Sequence, residues 1–309
     1  MHDLTDDGAS WVAARVVRLV ALALITLVFC KTSFAAPLVA SPQAAMRVIR
    51  DVPYGADPAQ RFDVYAPAQA IGAPVIFMVH GGGWAFGDKA ARGVIRNKVA
   101  RWVPRGFIVV SANYRMLPGA DPLEQARDVA RALAMAQQRA ATWGGNRARF
   151  ITMGHSAGAH LVALLAASPA LAARTPITPP LGTVSLESGA LDVVTIMEAR
   201  HARLFDRAFG RERDFWIAAS PYHVLDATGP PMLIVCSTRR GSSCTQAERF
   251  VAKATALGRR AVVLRENLSH ADADLLLGAD SVYTREVEAF LQTLDSTLVT
   301  ALAAPLTAP

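Results

Sequence analysis

"RFITMGHSAGAHLVALLAA", residues 149 to 167, decides how this chain is read. Its first half is a short apolar run with aromatic and β-branched members, the pattern of a buried strand, and its second half is an unbroken Ala- and Leu-rich stretch suited to a helix packed on a sheet. Between them "GHSAG", Gly154 to Gly158, forces a sharp turn. Small neighbours clear the space around Ser156, and a strained strand-to-helix turn lifts its hydroxyl above the sheet edge. Ser156 is therefore the expected nucleophile.

The same alternation extends in both directions. Strand candidates "MRVIRDVPYG" (46–55), "RFDVYAP" (61–67), "PVIFMVH" (74–80) and "FIVVSANY" (107–114) precede the turn, with helical segments at about 90–103 and 123–143. "GTVSLES", "PMLIVCS" and "AVVLRE" follow it, with a helix after the second and a last helix through "YTREVEAFLQTL". Repeated strand and helix order predicts an α/β fold, a mostly parallel sheet with helices on both faces, forming a single domain over 36–309. A Pro- and Arg-rich excursion at about 190–228 interrupts the rhythm, and a tail of about 298–309 is expected to be loose.

Just over half of the 309 residues are apolar and under a fifth are charged, with 32 Lys and Arg against 25 Asp and Glu. The basic residues form no stripe and accompany no nucleic-acid motif, so a solvated basic surface is expected, with no nucleic-acid partner. Attraction to anionic substrates or to the membrane surface stays open. At the N-terminus Arg15 and Arg18 precede "LVALALITLVFC" and then small residues at Ser33 and Ala35. That order predicts a secretory signal over 1–35, an exported protein and no membrane span once the leader is removed. An uncleaved anchor is the alternative, although the run is shorter than the roughly 20 residues a bilayer requires. Export would allow Cys236 and Cys244 to pair, and two buried free thiols are the other outcome. Nothing near them suggests a metal site, and no cofactor motif is present.

Chemistry is sought where strands end in polar, Gly-rich loops. "HGGGWAFGDK", residues 80–89, follows an apolar strand, and its glycines let backbone N–H groups converge on one point. Acyl transfer requires such donors for a tetrahedral oxyanion, and Gly82, Gly83 and the N–H of Ala157 are the candidates. Trp84, with Phe86, is placed to line a substrate pocket. His270, in "NLSHADAD" after the last strand, can take the serine proton and return it to a leaving group. In the excursion, Met197, Phe205, Phe209, Phe215 and Trp216 serve either to cap the site or as packing.

With "HGGGWAFGDK", "NYR" (113–115), "GHSAGAHLVAL", "SGALDV" (188–193) and "SPYHVL" (220–225) in this order, the chain resembles α/β-hydrolases of the hormone-sensitive-lipase type. The closer likeness is to the bacterial feruloyl-esterase and arylformamidase-like (BD-FAE-like) branch. The resemblance implies an α/β-hydrolase fold, with Ser156 as nucleophile, His270 as base and Gly82, Gly83 and Ala157 as oxyanion donors. It also implies an Asp in the loop after "PMLIVCS", and there the chain departs. That slot reads "STRRGSSC", with no Asp or Glu from Leu233 to Gln246. Losing the acid costs about 10⁴ in rate, so a carboxylate from another strand end is expected. Glu187, a polar group ending an otherwise buried strand, is preferred, with Asp192 and Glu266 as alternatives. Arg239 and Arg240 are expected to face solvent or an anionic substrate.

The expected function is hydrolysis of a small or aromatic acyl ester through an acyl-enzyme, without metal or cofactor. An arylformamidase is the second reading. A non-catalytic binding protein on the same fold is the third.

Overall fold

The computed structural model describes residues 46–173 and 175–304, so the leader expected over 1–35 lies outside it. Eight strands form one sheet in the order β1-β2-β4-β3-β5-β6-β7-β8. They are β1 (Met46–Pro53), β2 (Arg61–Pro67), β3 (Ala73–Val79), β4 (Ile108–Ala112), β5 (Gly145–His155), β6 (Gly182–Leu186), β7 (Met232–Ser237) and β8 (Ala261–Glu266). β1 and β2 are antiparallel to their neighbours, and every pairing from β4 to β8 is parallel. The helices are α1 (Arg92–Trp102), α2 (Pro122–Arg139), α3 (Ala157–Ala167), four short ones in the excursion, α4 (Val193–Glu198), α5 (Arg203–Phe209), α6 (Arg213–Ala218) and α7 (Pro221–Val224), then α8 (Gly241–Ala256), α9 (Asp272–Leu275), α10 (Val282–Gln292) and α11 (Ser296–Ala303).

The central strands read as continuous apolar runs because both of their faces are covered. Side chains alternate along β3: Val75, Phe77 and Val79 join a core with Ala126, Val129 and Leu133 of α2 and Leu161 of α3, whereas Ile76 and Met78 join one with Trp102, Val287 and Leu291. A third cluster seats Ile234 and Cys236 of β7 against Ala247 and Phe250 of α8. Phe77 is fully buried, and its truncation to Ala is expected to cost about 3–5 kcal/mol. α2 starts sharply: Asp121 caps it, Glu124 completes a reciprocal capping box, and Pro122 fits the first turn.

The tail departs from expectation. Residues 296–303 are helical, because Asp295 caps the first turn and Leu298 and Leu302 are buried in the second core. Their spacing of one helical turn places both on one face, a pattern obscured in the sequence by the surrounding small residues. Among the described residues, no helix is long and apolar enough to cross a membrane.

Candidate active site

β5 delivers Ser156 to the carboxyl edge of the sheet with φ 55° and ψ −117°, a conformation that costs a non-glycine residue about 1–3 kcal/mol. Its N–H donates to the Leu186 carbonyl at 3.0 Å, which ties the turn to β6. Close packing explains the flanking Gly158: an added Cβ would lie 2.3 Å from the Val79 carbonyl oxygen. Trp84 and Glu187 also have positive φ, so three of the four such non-glycine residues among those described surround this site.

His270 Nε2 lies 2.9 Å from Ser156 Oγ, and its Nδ1 lies 3.2 Å from Glu187 Oε2. Glu187 is fully buried just beyond β6, where its N–H donates to the Val235 carbonyl at 2.9 Å. Burial pushes its pKa up, but the hydrogen bond to His270, the Arg240 charge and the Ser243 hydroxyl outweigh that, and the net shift is downward. The carboxylate is thus held ionised.

The two alternative acids are elsewhere. Asp192 caps α4, accepting from the Thr195 N–H, and pairs with Arg249 at 3.2 Å. Glu266 sits near Glu286, and burial together with that carboxylate pushes its pKa up to about 7. Neither touches His270 in the hydrogen bonds of the structure.

Arg240 is partly exposed and lines the cavity, in keeping with the sequence expectation, but its head also reaches the imidazole. Its Nη1 lies 2.8 Å from Glu187 Oε2 and 2.7 Å from His270 Nδ1. The residue in the position vacated by the usual Asp therefore reaches the same imidazole edge with the opposite charge. Only Arg239 is turned away, donating to Asn267 Oδ1 at 3.0 Å. Cys236 and Cys244 form a disulfide with Cα atoms 5.0 Å apart, closing the loop that carries both arginines.

A second set of residues, not singled out by the sequence, supports the His270 loop. His155 Nε2–H donates to the His270 carbonyl at 2.8 Å. Its Nδ1 faces Asp274 Oδ2 at 3.7 Å, and Asp274 in turn holds buried Lys98 at 2.7 Å. Burial lowers the pKa of both His155 and Lys98, the latter against the pull of Asp274. The sequence signal was present but weak: a lysine on the inner face of a helix requires a buried partner.

Gly82, Gly83 and Ala157 line the same cavity as Ser156 and His270, a space of about 1120 Å³. Gly82 has φ 124°, and a Cβ there would lie 1.8 Å from the Phe86 carbonyl oxygen, so the loop requires glycine. Trp84 lines the cavity but is only 3% exposed. Its indole N–H donates to His160 Nδ1 at 3.1 Å, and its carbonyl accepts from Gln125 at 2.8 Å. His160 is fully buried, which pushes its pKa down to about 4, and its Nε2–H donates to the Ala219 carbonyl at 2.7 Å. Trp84 thus joins the glycine loop to the excursion, where Phe205 and Phe209 pack against its ring. Of the excursion aromatics, Phe205 also lines the cavity; Phe209 is buried in the core. Among the described residues, no group of three or more His, Cys, Asp or Glu could hold a metal ion.

The profile of the family described as BD-FAE matches residues 62–248, more than half of the chain, from the second residue of β2 through all of β7. The chain belongs to the BD-FAE family. Among curated proteins, it is 30% identical over 234 residues to esterase LipC of Mycobacterium tuberculosis, covering 69% of this chain and 56% of that protein. It is 33% identical over 118 residues to a probable isoprenylcysteine alpha-carbonyl methylesterase of Oryza sativa, covering 38% of this chain and 27% of the relative. A kynurenine formamidase of Salmo salar is 28% identical over 152 residues, 49% of each chain. The chain therefore spans between about a quarter and just over half of the length of these relatives. Among solved structures, esterase 2 of Thermogutta terrifontis superposes with a TM-score of 0.64 at 24% identity, covering 85% of this chain and 97% of that one. Esterase B of Lactobacillus rhamnosis gives 0.66 at 20%, covering 84% and 87%. The fold of this BD-FAE member is that of the α/β-hydrolases.

Proposed function

We propose that the protein is an exported serine hydrolase that cleaves a small or aromatic acyl ester through an acyl-enzyme. One observation carries the reading: the unbroken line of contacts from Ser156 Oγ through both nitrogens of His270 to the buried carboxylate of Glu187. Ser156 Oγ attacks the acyl carbon while His270 Nε2 takes its proton, and Glu187 stabilises the imidazolium that results. The N–H groups of Ala157, Gly82 and Gly83 receive the carbonyl oxygen as it becomes negative. His270 then protonates the departing alkoxide, and a water, deprotonated by the same imidazole, releases the acid.

Esterase relatives on the same fold support this reading, as does the Cys236–Cys244 disulfide for export to an oxidising compartment. The Salmo salar relative gives an arylformamidase some support, since the same machinery cleaves an N-formyl group. The test is labelling by a fluorophosphonate probe together with turnover of p-nitrophenyl esters, feruloyl esters and N-formylkynurenine. Labelling of the parent and none of Ser156→Ala is expected. Folded parent protein that neither labels nor turns over any substrate overturns the enzyme reading in favour of a binding protein.

A further inference from the structure

Arg240 creates a conflict that the hydrolytic mechanism has to resolve. A guanidinium has N–H donors and no acceptor. Its Nη1 stands 2.7 Å from His270 Nδ1, so in this arrangement Nδ1 accepts a hydrogen bond and the proton of the neutral ring is on Nε2. That tautomer donates toward Ser156 Oγ at 2.9 Å and cannot take the serine proton. General-base catalysis requires the other tautomer, with Nδ1–H pointing to Glu187 Oε2 at 3.2 Å. Arg240 must therefore leave Nδ1 before the site can work.

The surroundings show where it can go. The backbone of the Arg240 loop is held at several points. The Arg240 N–H donates to the Ser237 carbonyl at 3.1 Å, the Thr238 N–H donates to the Glu266 carbonyl at 2.8 Å, and the disulfide closes the loop. The side chain is the free part: it is 38% exposed and lines the cavity beside Ser156 and Arg207. Among the described residues, its Nη2 and Nε have no hydrogen-bond partner, so one edge of the fork, Nε with Nη2, remains available. Gly189 makes room for it, since a Cβ there would lie 3.0 Å from Nη2.

We propose, on the basis of the hydrolytic reading above, that Arg240 makes the site selective for esters bearing a carboxylate: the substrate anion draws the guanidinium off His270 Nδ1 and so releases the catalytic tautomer. The ring stays neutral in the change, losing a proton from Nε2 to solvent and gaining one from solvent at Nδ1. A carboxylate matches the planar fork of Arg in two parallel hydrogen bonds, which makes it a strong competitor for the guanidinium. A neutral ester leaves Arg240 where it is and meets a site mostly in the resting tautomer.

Two near-isosteric ester pairs, one member anionic and the other neutral, test this. One is 4-acetoxybenzoate against 4-acetoxybenzamide, and the other is p-nitrophenyl 4-carboxybenzoate against its 4-carbamoyl counterpart. The parent is expected to favour the anionic member of at least one pair by about tenfold in kcat/KM, the effect of one charge-assisted contact. In Arg240→Gln the preference falls to near one, and the neutral ester is hydrolysed faster than by the parent. The ¹⁵N shifts of His270 provide a second readout that requires no variant. Saturating benzoate is expected to move the parent from the Nε2–H to the Nδ1–H form, and no shift overturns the proposal. Equal rates within both pairs overturn it, as does an equal loss on both members in Arg240→Gln, which would mean that Arg240 only braces Glu187. Absence of any turnover and of Ser156 labelling defeats the hydrolytic reading instead, and the proposal with it.

Discussion

The loops leaving β6 and β7 begin side by side at the carboxyl edge and send side chains of opposite charge to the same imidazole. After β6, Glu187 turns inward with φ 52° and is fully buried. After β7, Arg240 reaches back across an open cavity and remains partly exposed. The contrast separates the group that can stabilise the imidazolium from the one that competes with it for Nδ1. The carboxylate is placed by strained backbone in a buried setting and has little freedom. The guanidinium hangs on a long side chain from a loop held by a disulfide, so it can swing without moving the backbone that places Glu187, although its charge is one of the groups that keep that carboxylate ionised.

Removing groups from each side tests the contrast, beginning with Ser156, the proposed nucleophile. Ser156→Ala is expected to abolish both probe labelling and ester hydrolysis, a loss of about 10⁶ in kcat. Glu187→Gln is expected to lower kcat by about 10⁴, because the amide no longer holds the productive tautomer, while Asp192→Asn and Glu266→Gln stay within a few-fold. Comparable losses in Asp192→Asn would overturn the assignment of Glu187. Beneath the His270 loop, Asp274→Asn leaves Lys98 buried without its counter-charge, which should cost about 3–5 kcal/mol in urea unfolding. The double variant Lys98→Met with Asp274→Leu should lose much less.

On the β7 side, replacing Cys236 and Cys244 by Ser opens a loop with a sequence separation of 8 and should cost about 2–3 kcal/mol by loop-closure entropy. A pH-dependent effect, reduced by partial exposure, is expected at the sheet edge. Glu266, raised to about 7 from an ordinary 4.5, binds its proton more tightly folded than unfolded. Stability contributed by the protonated form is therefore full below pH 4.5 and is lost as pH rises to about 7. Glu266→Gln should flatten the fall in Tm across that window. Glu187 has the opposite sign: its pKa is lowered, so its contribution is present above the ordinary glutamate range and lost on acidification through its lower folded value.

Much of this was readable along the chain because it depends on local pattern. Uniformly apolar runs such as "PVIFMVH" are doubly covered strands, and "GHSAG" specifies a turn whose glycine Cβ positions are filled by neighbouring backbone. The helical tail escaped because only Leu298 and Leu302 signal its buried face. Arg240 escaped for a different reason. Between "TRRGSSC" and the site nothing local distinguishes Arg239 from Arg240, and which of them points inward depends on the turn that begins α8 and on the space left by Gly189.

The sequence by itself determined the order of the strands, the position of Ser156 on its turn, and the absence of an acid after β7, because each is a property of a few neighbouring residues. Only the tertiary structure decided which side chains share the edge of His270. That contact joins residues 83 and 30 positions apart, and it follows from β6 and β7 being neighbours in the sheet, from the positive φ of Glu187 and from the reach of a guanidinium.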